Sequence, residues 1–524
     1  MAFSLGRSLF SFTTPSTTTN NNNTIDQETI ESLCDRLQTA KRIKDRRHIV
    51  CALKALSKKC KLEVGTKSIT LLANILQGDR TDFDLIQLVL ETLTNLITYD
   101  VGSDEEQSDL PQELYIQNKK RVHVVLELIA KTNFNVRRAA IRFLTALLTN
   151  CTTQLQDIIL EDGPVSISKL VDLLKDKREV IRNDALILLQ ILIVSNPDMQ
   201  DIVASGKGFE RLVEIFVREG FGDEVTVQYC LSVILNLLKG NQPIQRSFNQ
   251  RYHIQRLADF LKFCSNDEKL WSTQKVTNVN LLLQIIRTLV SPENSSENIV
   301  AYQRTFEQYG ILHRLYVILK LLTVPADVLI ETLQTISDVV HDDTENQKFL
   351  NSVVNISGVI QQSVLFNLLN AMINGEHQSF SLRISILYFL QCYLYNNESG
   401  KSMIVRTFSD QTANQYTLGH LLLNGYSSKD IIASWCPGIT LAHLIVDDSK
   451  CKETIFKVVL PVDSSQTGVK TLIEISMDIL QNSLSSLHTR VVVLIFLSSL
   501  LSNSSSAVQA LLSVQNGVSY IIAH

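Results

Sequence analysis

Proline and tryptophan are scarce in this sequence: nine prolines and two tryptophans in 524 residues. So few helix breakers leave room for long helices. Neither sign of charge dominates, since 49 Lys and Arg face 53 Asp and Glu, for a formal net charge of -4. That balance argues against a nucleic-acid binder, which carries a basic excess gathered on one face. No stretch reaches the roughly 20 apolar residues that a membrane-spanning helix needs. The nearest, Val491 to Leu501, is about half that length and contains Ser498 and Ser499. The nine cysteines are an odd number with no C-x-x-C pair. Neither a disulfide framework nor a zinc site is therefore expected, and most thiols should be small buried hydrophobes in a reducing compartment.

Catalytic motifs are missing as well. No G-x-S-x-G, H-E-x-x-H or EF-hand loop occurs. Gly400-Lys401-Ser402 imitates the end of a phosphate loop, but the motif needs a glycine where Tyr395 stands, so a turn before a helix is expected. The histidines are isolated, and His420 and His443 read as helix-face or core residues. Asp342-Asp343 and Asp447-Asp448 read as helix caps rather than acid–base pairs. The sequence thus predicts no catalytic residue, no cofactor, no metal and no nucleic acid.

What is present is apolar sequence, 45% of the chain. At this length one compact core stops growing, so the chain is several domains or one repeat array. Residues 1–24, with TTPSTTTNNNN, read as a disordered low-complexity lead. Thr24 and Gln27 have capping-box spacing, predicting a helix start there. Ile30, Leu33, Cys34 and Leu37 then form one helical stripe, and Ile49, Leu53 and Leu56 a second.

From there a longer period sets in. A strongly apolar helix ends in an Asn, Asp or Ser turn and a shorter helix follows, as in RAAIRFLTALLTN with QLQDIIL, and RISILYFLQCYLYNN with KSMIV. Eight such pairs are readable, anchored at Asn150, Asn196, Asn241, Asn294, Asp343, Asn397, Asp448 and Asn503. Their spacing of roughly 45 to 55 residues is near the armadillo and HEAT range. Leu186 to Leu189 and Ile191 to Val194 make one helix apolar on nearly every face, which only neighbouring repeats can cover. Pro197, Pro243 and Pro292 fall just after such helices, whereas Pro437 lies inside one and is expected to kink it. TRVVVLIF is β-branched, but its phase in the repeat assigns it to a helix. The acidic stretch from Val101 to Pro111 reads as a surface loop. The predicted fold is all-α, an armadillo/HEAT-like right-handed α-solenoid of stacked helical repeats over residues 25–524.

Two charged clusters are binding candidates. Lys41, Arg42, Lys44, Arg46 and Arg47 suit an acidic partner, an anionic membrane or a merely solvated face. Arg178, Glu179, Arg182, Asn183 and Asp184 open the most apolar helix and suit either bonding between repeats or contact with a partner. Trp271 is expected in the core.

Several blocks go beyond generic repeats: LCDRL (33–37), DRRHIVCALKALSKKCKLEVG (45–65), LLKDKREVIRNDALILLQIL (173–192), WSTQKVTNVNLLLQIIRTLVSP (271–292), VPADVLIETLQTISDVV (324–340) and LYFLQCYLYNN (387–397). They resemble the head of the general vesicular transport factors, the Golgi vesicle-tethering proteins of the Uso type. The resemblance runs with gaps from about Ile25 to the last residue, and REVIRND and WSTQKVTN are its most specific parts. It implies a homodimeric tether between endoplasmic reticulum and Golgi. Such a tether is cytoplasmic, peripheral on Golgi and transport-vesicle membranes, and works with Rab-family GTPases, SNARE proteins and other Golgi tethering proteins. In the family a coiled coil and an acidic tail follow the head. No heptad run or acidic tail precedes His524, which implies a fragment or a shortened form. The matching blocks make Arg46, Arg47, Arg178, Arg182, Asn183, Lys275 and Asn278 the protein-binding candidates. The competing readings are an armadillo cargo adaptor of the nuclear-import or catenin type and a HEAT-type scaffold subunit. Two tryptophans and no W-x-x-x-N ladder count against the adaptor.

Overall fold

The computed structural model describes residues 22–78, 81–98, 110–131, 133–220, 224–250, 253–266, 271–321, 324–354, 363–375, 378–409, 417–461, 469–514 and 519. Ten long, mostly apolar helices form its backbone: α1 (Ile43–Leu56), α2 (Phe83–Ile97), α3 (Phe134–Asn150), α4 (Glu179–Leu192), α5 (Val225–Leu238), α6 (Thr273–Leu289), α7 (Ala326–Val340), α8 (Phe380–Leu394), α9 (Ile431–Ile445) and α10 (Leu487–Leu501). The chain divides into two compact units, residues 1–244 and 245–524. In the first, α1 through α5 pack in sequence order, each against the next; in the second, α6 through α10 do the same. Each unit is thus a row of stacked repeats, and the fold is an all-α solenoid.

The expected pairing of long and short helices holds at all eight places. The short partners are Thr152–Asp162, Pro197–Ser205, Gln242–Gln250, Ser296–Gln308, Thr344–Val354, Glu398–Arg406, Ser449–Phe456 and Ser505–Ser513. A third helix follows most of them, for example Pro164–Asp172, Gly208–Glu219 and Ile311–Lys320, which the sequence reading did not separate. Three helices per repeat is the armadillo pattern.

Seven of the turn anchors act in three ways, and the eighth, Asn503, is left-handed (φ 52°) just before the Ser504 cap. Asn196, Asn241, Asp343, Asn397 and Asp448 are N-caps whose side chains accept a backbone N–H of the short helix. Asn294 turns back to the carbonyls of Thr288 and Leu289 (2.8 and 3.2 Å), and Ser295 caps in its place. Asn150 is the last residue of α3, and its amide donates to the Ile97 carbonyl. Just before several caps sits a left-handed residue: Ser195, Asp342, Asn396 and Asp447, all with φ between 51° and 56°. Short polar side chains tolerate that conformation best among non-glycine residues.

Some expectations need correction. The first helix is Asn22–Thr39, so Thr24 lies inside it and is not its cap; helix ends are the least legible boundaries. The acidic loop lies mostly outside the described residues, and its end, Leu110 and Pro111, already belongs to the helix Leu110–Ile116. The lead up to residue 21 also lies outside them. As expected, Pro437 lies inside a helix, Ile431–Ile445. As expected, TRVVVLIF is helical within α10. Among the described residues one small antiparallel pair occurs, β1 (Val459–Pro461) with β2 (Val469–Thr471).

Two sets of hydrogen bonds tie successive repeats. Side-chain donors on short helices reach the carbonyls that end the long helix of the following repeat. Gln156 donates to Leu192 (2.8 Å) and Val194 (3.1 Å), and Gln200 to Asn236 (2.9 Å). Gln303 donates to Val339 (3.1 Å) and His341 (2.9 Å), and Gln347 to Tyr395 (2.8 Å). Further along, ammonium groups replace the amides: Lys401 on Val446 (2.7 Å) and Lys452 on Ser502 (2.5 Å). These donors satisfy helix-terminal carbonyls that have no intrahelical partner, and a cation there also suits the helix dipole. The second set is made of arginine clamps, described below.

Candidate protein-binding surface

Of the predicted residues Arg182, Lys275 and Asn278 are buried, and the others keep exposed surface. Arg47 makes a bidentate pair with Asp82 (2.9 and 2.6 Å) and a further contact with Asp84 (3.0 Å). Asp82 is also the N-cap of α2, accepting from Leu85. Burial works against the Asp82 carboxylate, but the Arg47 hydrogen bonds, the Leu85 N–H and the Arg47 charge outweigh it and hold its pKa below the usual range. Arg182 is buried; it donates to the carbonyls of Asp176 (3.0 Å) and Lys177 (3.2 Å) and pairs with Glu219 (2.9 Å). Asn183 accepts from Thr226 of α5 (2.9 Å). Arg383 repeats the device in the second unit, bonding Met372 O and the Asp430 cap of α9.

Lys275 and Asn278 are buried on α6. The Lys275 ammonium lies 4.8 Å from the centre of the half-exposed Trp271 ring, and Gln274 donates to Asn278 (3.1 Å). Arg46 is half-buried and donates to the Ala40 carbonyl at 2.9 Å. Arg178 is exposed at the start of α4, its guanidinium 4.7 Å from the centre of the Phe134 ring. Arg182 therefore ties its helix start to Glu219, and Lys275 and Asn278 are buried in packing, while Arg46 and Arg178 keep exposed surface. The seven lie at the starts of three long helices, α1 and α4 in the first unit and α6 in the second.

The sequence reading missed a polar seam along the long helices of the second unit. Arg287 on α6 bonds Asp338 (2.9 Å), Glu331 (3.0 Å) and Gln334 (2.7 Å) on α7. Tyr388 on α8 donates to the other Asp338 oxygen at 2.5 Å, and Gln334 donates to Ser385 at 3.1 Å. Gln391 of α8 meets His443 of α9 at 3.1 Å. Burial and the Asp338 carboxylate push the Tyr388 phenol well above its ordinary value. Arg287, Tyr388 and His443 stay partly open along this seam. Its only sequence signal was polar residues one to two turns apart within otherwise apolar helices.

Catalytic chemistry has little foothold. Cys392, Cys436 and Cys451 are pushed up to about 12, mainly by burial, the opposite of an activated thiol. Among the described residues no group of three His, Cys, Asp or Glu is placed to hold a metal ion, and no helix is long and apolar enough to cross a membrane. Asp343 and Asp448 cap helices, and Gly400 donates its N–H to the Asn397 cap.

Residues 268–328 match a family described as the armadillo tether-repeat of vesicular transport factor. Residues 325–524 match the head region of Uso1/p115-like vesicle tethering proteins. The general vesicular transport factor p115 of Bos taurus is 38% identical over 497 residues, covering 92% of this chain and 51% of that protein. The human p115 gives the same figures. The Saccharomyces cerevisiae intracellular protein transport protein USO1 is 31% identical over 302 residues, 51% of this chain and 17% of that protein. A crystal structure of Uso1-2 superposes with a TM-score of 0.78 at 22% identity, covering 97% of this chain and 83% of that one, a likeness of fold. The chain spans about half the length of the p115 relatives. With the stacked three-helix repeats already established, these matches mean that the chain belongs to the Uso1/p115 family of vesicle-tethering factors and corresponds to its armadillo head region.

Proposed function

We propose that this chain is the head of a vesicle-tethering factor in transport between the endoplasmic reticulum and the Golgi. It acts as a binding module, not an enzyme. The observation that carries the reading is the 38% identity to p115 across 92% of the chain. The row of stacked repeats within each unit supports it, because such arrays present extended surfaces to partners. The partners are a Rab-family GTPase, SNARE proteins and other Golgi tethering proteins; the factor is a homodimer, peripheral on Golgi and transport-vesicle membranes. Arg46 and Arg178, with the partly open Asn183, belong to the contact surface. Arg47, Arg182, Lys275 and Asn278 position it.

Affinity capture with the purified chain, with and without a GTP-locked Rab protein, tests the reading. Golgi tethering and SNARE components should be retained, and Arg178→Glu should weaken their retention without changing the thermal midpoint. Recovery of importins or catenin ligands without any trafficking component would refute it.

A further inference from the structure

The turn between the helix Asn22–Thr39 and α1 carries a run in which every residue from Lys41 to Asp45 is exposed. Arg42 is the N-cap of α1, with extended backbone and no side-chain cap bond, and Lys44 sits in the first turn. Cations at a helix start oppose the helix dipole. Nothing among the described residues compensates them: Lys41, Arg42 and Lys44 make no ion pair there. Nearby Arg47, Lys54 and Lys67 are all paired, with Asp82, Glu91 and Glu31. Asp45 is the one acid in the first turn. Arg46 donates back to the Ala40 carbonyl and so fixes the shape of the turn.

Apolar surface is built into the same tip. Ile43, between Arg42 and Lys44, is 44% exposed, and Phe83 is 41% exposed. Ile43 and Arg47 lie one turn apart on a single face of α1, and Arg47 grips both Asp82 and Asp84, the neighbours of Phe83. The ion pairs therefore tie the start of the helix that carries exposed Phe83 to the helix that carries exposed Ile43 and the uncompensated cations.

We infer that this tip docks on an anionic lipid bilayer, the cations meeting headgroups while Ile43 and Phe83 enter the interface. The inference deepens the membrane-peripheral part of the proposed function and rests on it. An acidic peptide fits less well: every residue from Lys41 to Asp45 is exposed, and exposed apolar Ile43 stands between the cations, which suits an interface that takes up charge and apolar surface together. Basic residues beside apolar ones are what interfacial binding to anionic membranes uses.

The test is co-sedimentation of the full chain with vesicles of phosphatidylcholine containing about a third phosphatidylserine, against pure phosphatidylcholine. Binding is expected on the anionic vesicles alone and should fade as salt rises from ~0.1 to ~0.5 M. Lys41→Gln, Arg42→Gln and Lys44→Gln together should weaken it about a hundredfold. Lys41→Arg with Lys44→Arg should retain it, and Ile43→Ser should weaken it several-fold. All these positions are exposed, so an unchanged thermal midpoint is expected and confirms folding. Equal binding to neutral vesicles, or full binding by the triple glutamine variant, overturns the inference. So does a triple variant that loses trafficking partners in a vesicle-free capture while still binding vesicles, which assigns the tip to an acidic protein. A wild-type chain that binds vesicles but captures no trafficking component separates failure of the tether reading from failure of the tip.

Discussion

Gln303 offers the sharpest test of how the repeats are held in register. Its side chain is 2% exposed and donates to the carbonyls of Val339 and His341 at the end of α7. Val339 keeps one weaker donor, the Asn346 amide at 3.4 Å. Gln303→Leu preserves the volume and removes both bonds, leaving the His341 carbonyl short of its partner. At about 0.5–1.5 kcal/mol per lost bond, the expected cost is about 1–3 kcal/mol. Gln303→Glu also faces a carboxylate toward two carbonyl oxygens in a dry site and should cost about 3–5 kcal/mol. Gln303→Lys is the discriminating variant, because Lys401 and Lys452 already fill the equivalent place two and three repeats later. It should stay within about 1 kcal/mol of the parent, since a cation suits the negative end of the helix. Urea unfolding gives the energies, and hydrogen exchange in α7 and in the helix Thr344–Val354 reports whether the loss is local, as expected for a repeat array. If Gln303→Leu were as stable as the parent, or Gln303→Lys as damaging as Gln303→Glu, the account of these bonds would be wrong.

Two further outcomes follow from packing and burial. A Cβ on Gly425 would lie 2.6 Å from Pro437 Cγ and 3.0 Å from the Ala433 carbonyl oxygen, so Gly425→Ala should cost about 1–3 kcal/mol in a denaturant titration. Burial, with the Lys401 charge nearby, holds the His443 imidazole below its ordinary 6.5. The unfolded chain then takes the proton first as pH falls, so this group's contribution is complete above about 6.5 and declines below it. His443→Gln should flatten the fall in thermal midpoint below pH 6.5 relative to the parent, whereas identical slopes would show that His443 does not report its burial.

The long helices and their capped turns were legible because both signals are local. Leu186 to Leu189 and Ile191 to Leu192 lie within one helix, and Asn196 or Asp448 caps within three residues. The candidate site was less legible because its contacts are not local. Arg182 looks like any exposed helix-start arginine until Glu219, 37 residues on, is placed beside it. The Arg287 seam joins residues 44 to 51 apart. The donors on short helices escaped notice because their chemistry changes along the chain: Gln156, Gln200, Gln303 and Gln347 give way to Lys401 and Lys452. A search for one repeated residue type cannot find a position defined by hydrogen-bond donation. The family blocks marked the right helices, but in Lys275 and Asn278 they marked packing.

The left-handed residue before the caps that follow α7 to α10 also governs where the array can lengthen. From α7 onward, the last residue of a long helix and the following N-cap are always three positions apart, as in Val340 and Asp343, Leu394 and Asn397, and Ile445 and Asp448. The other junction of the repeat tolerates growth. Only about two residues part Ser296–Gln308 from Ile311–Lys320, but about eleven part Glu398–Arg406 from Leu418–Tyr426, and about fifteen, including β1 and β2, part Ser449–Phe456 from Leu472–Gln481. Extra sequence, natural or engineered, is therefore admitted at that second junction, where no rung of donors must be kept in step. One residue inserted between Tyr395 and Asn397 would instead slide the cap out of phase with everything stacked beyond it.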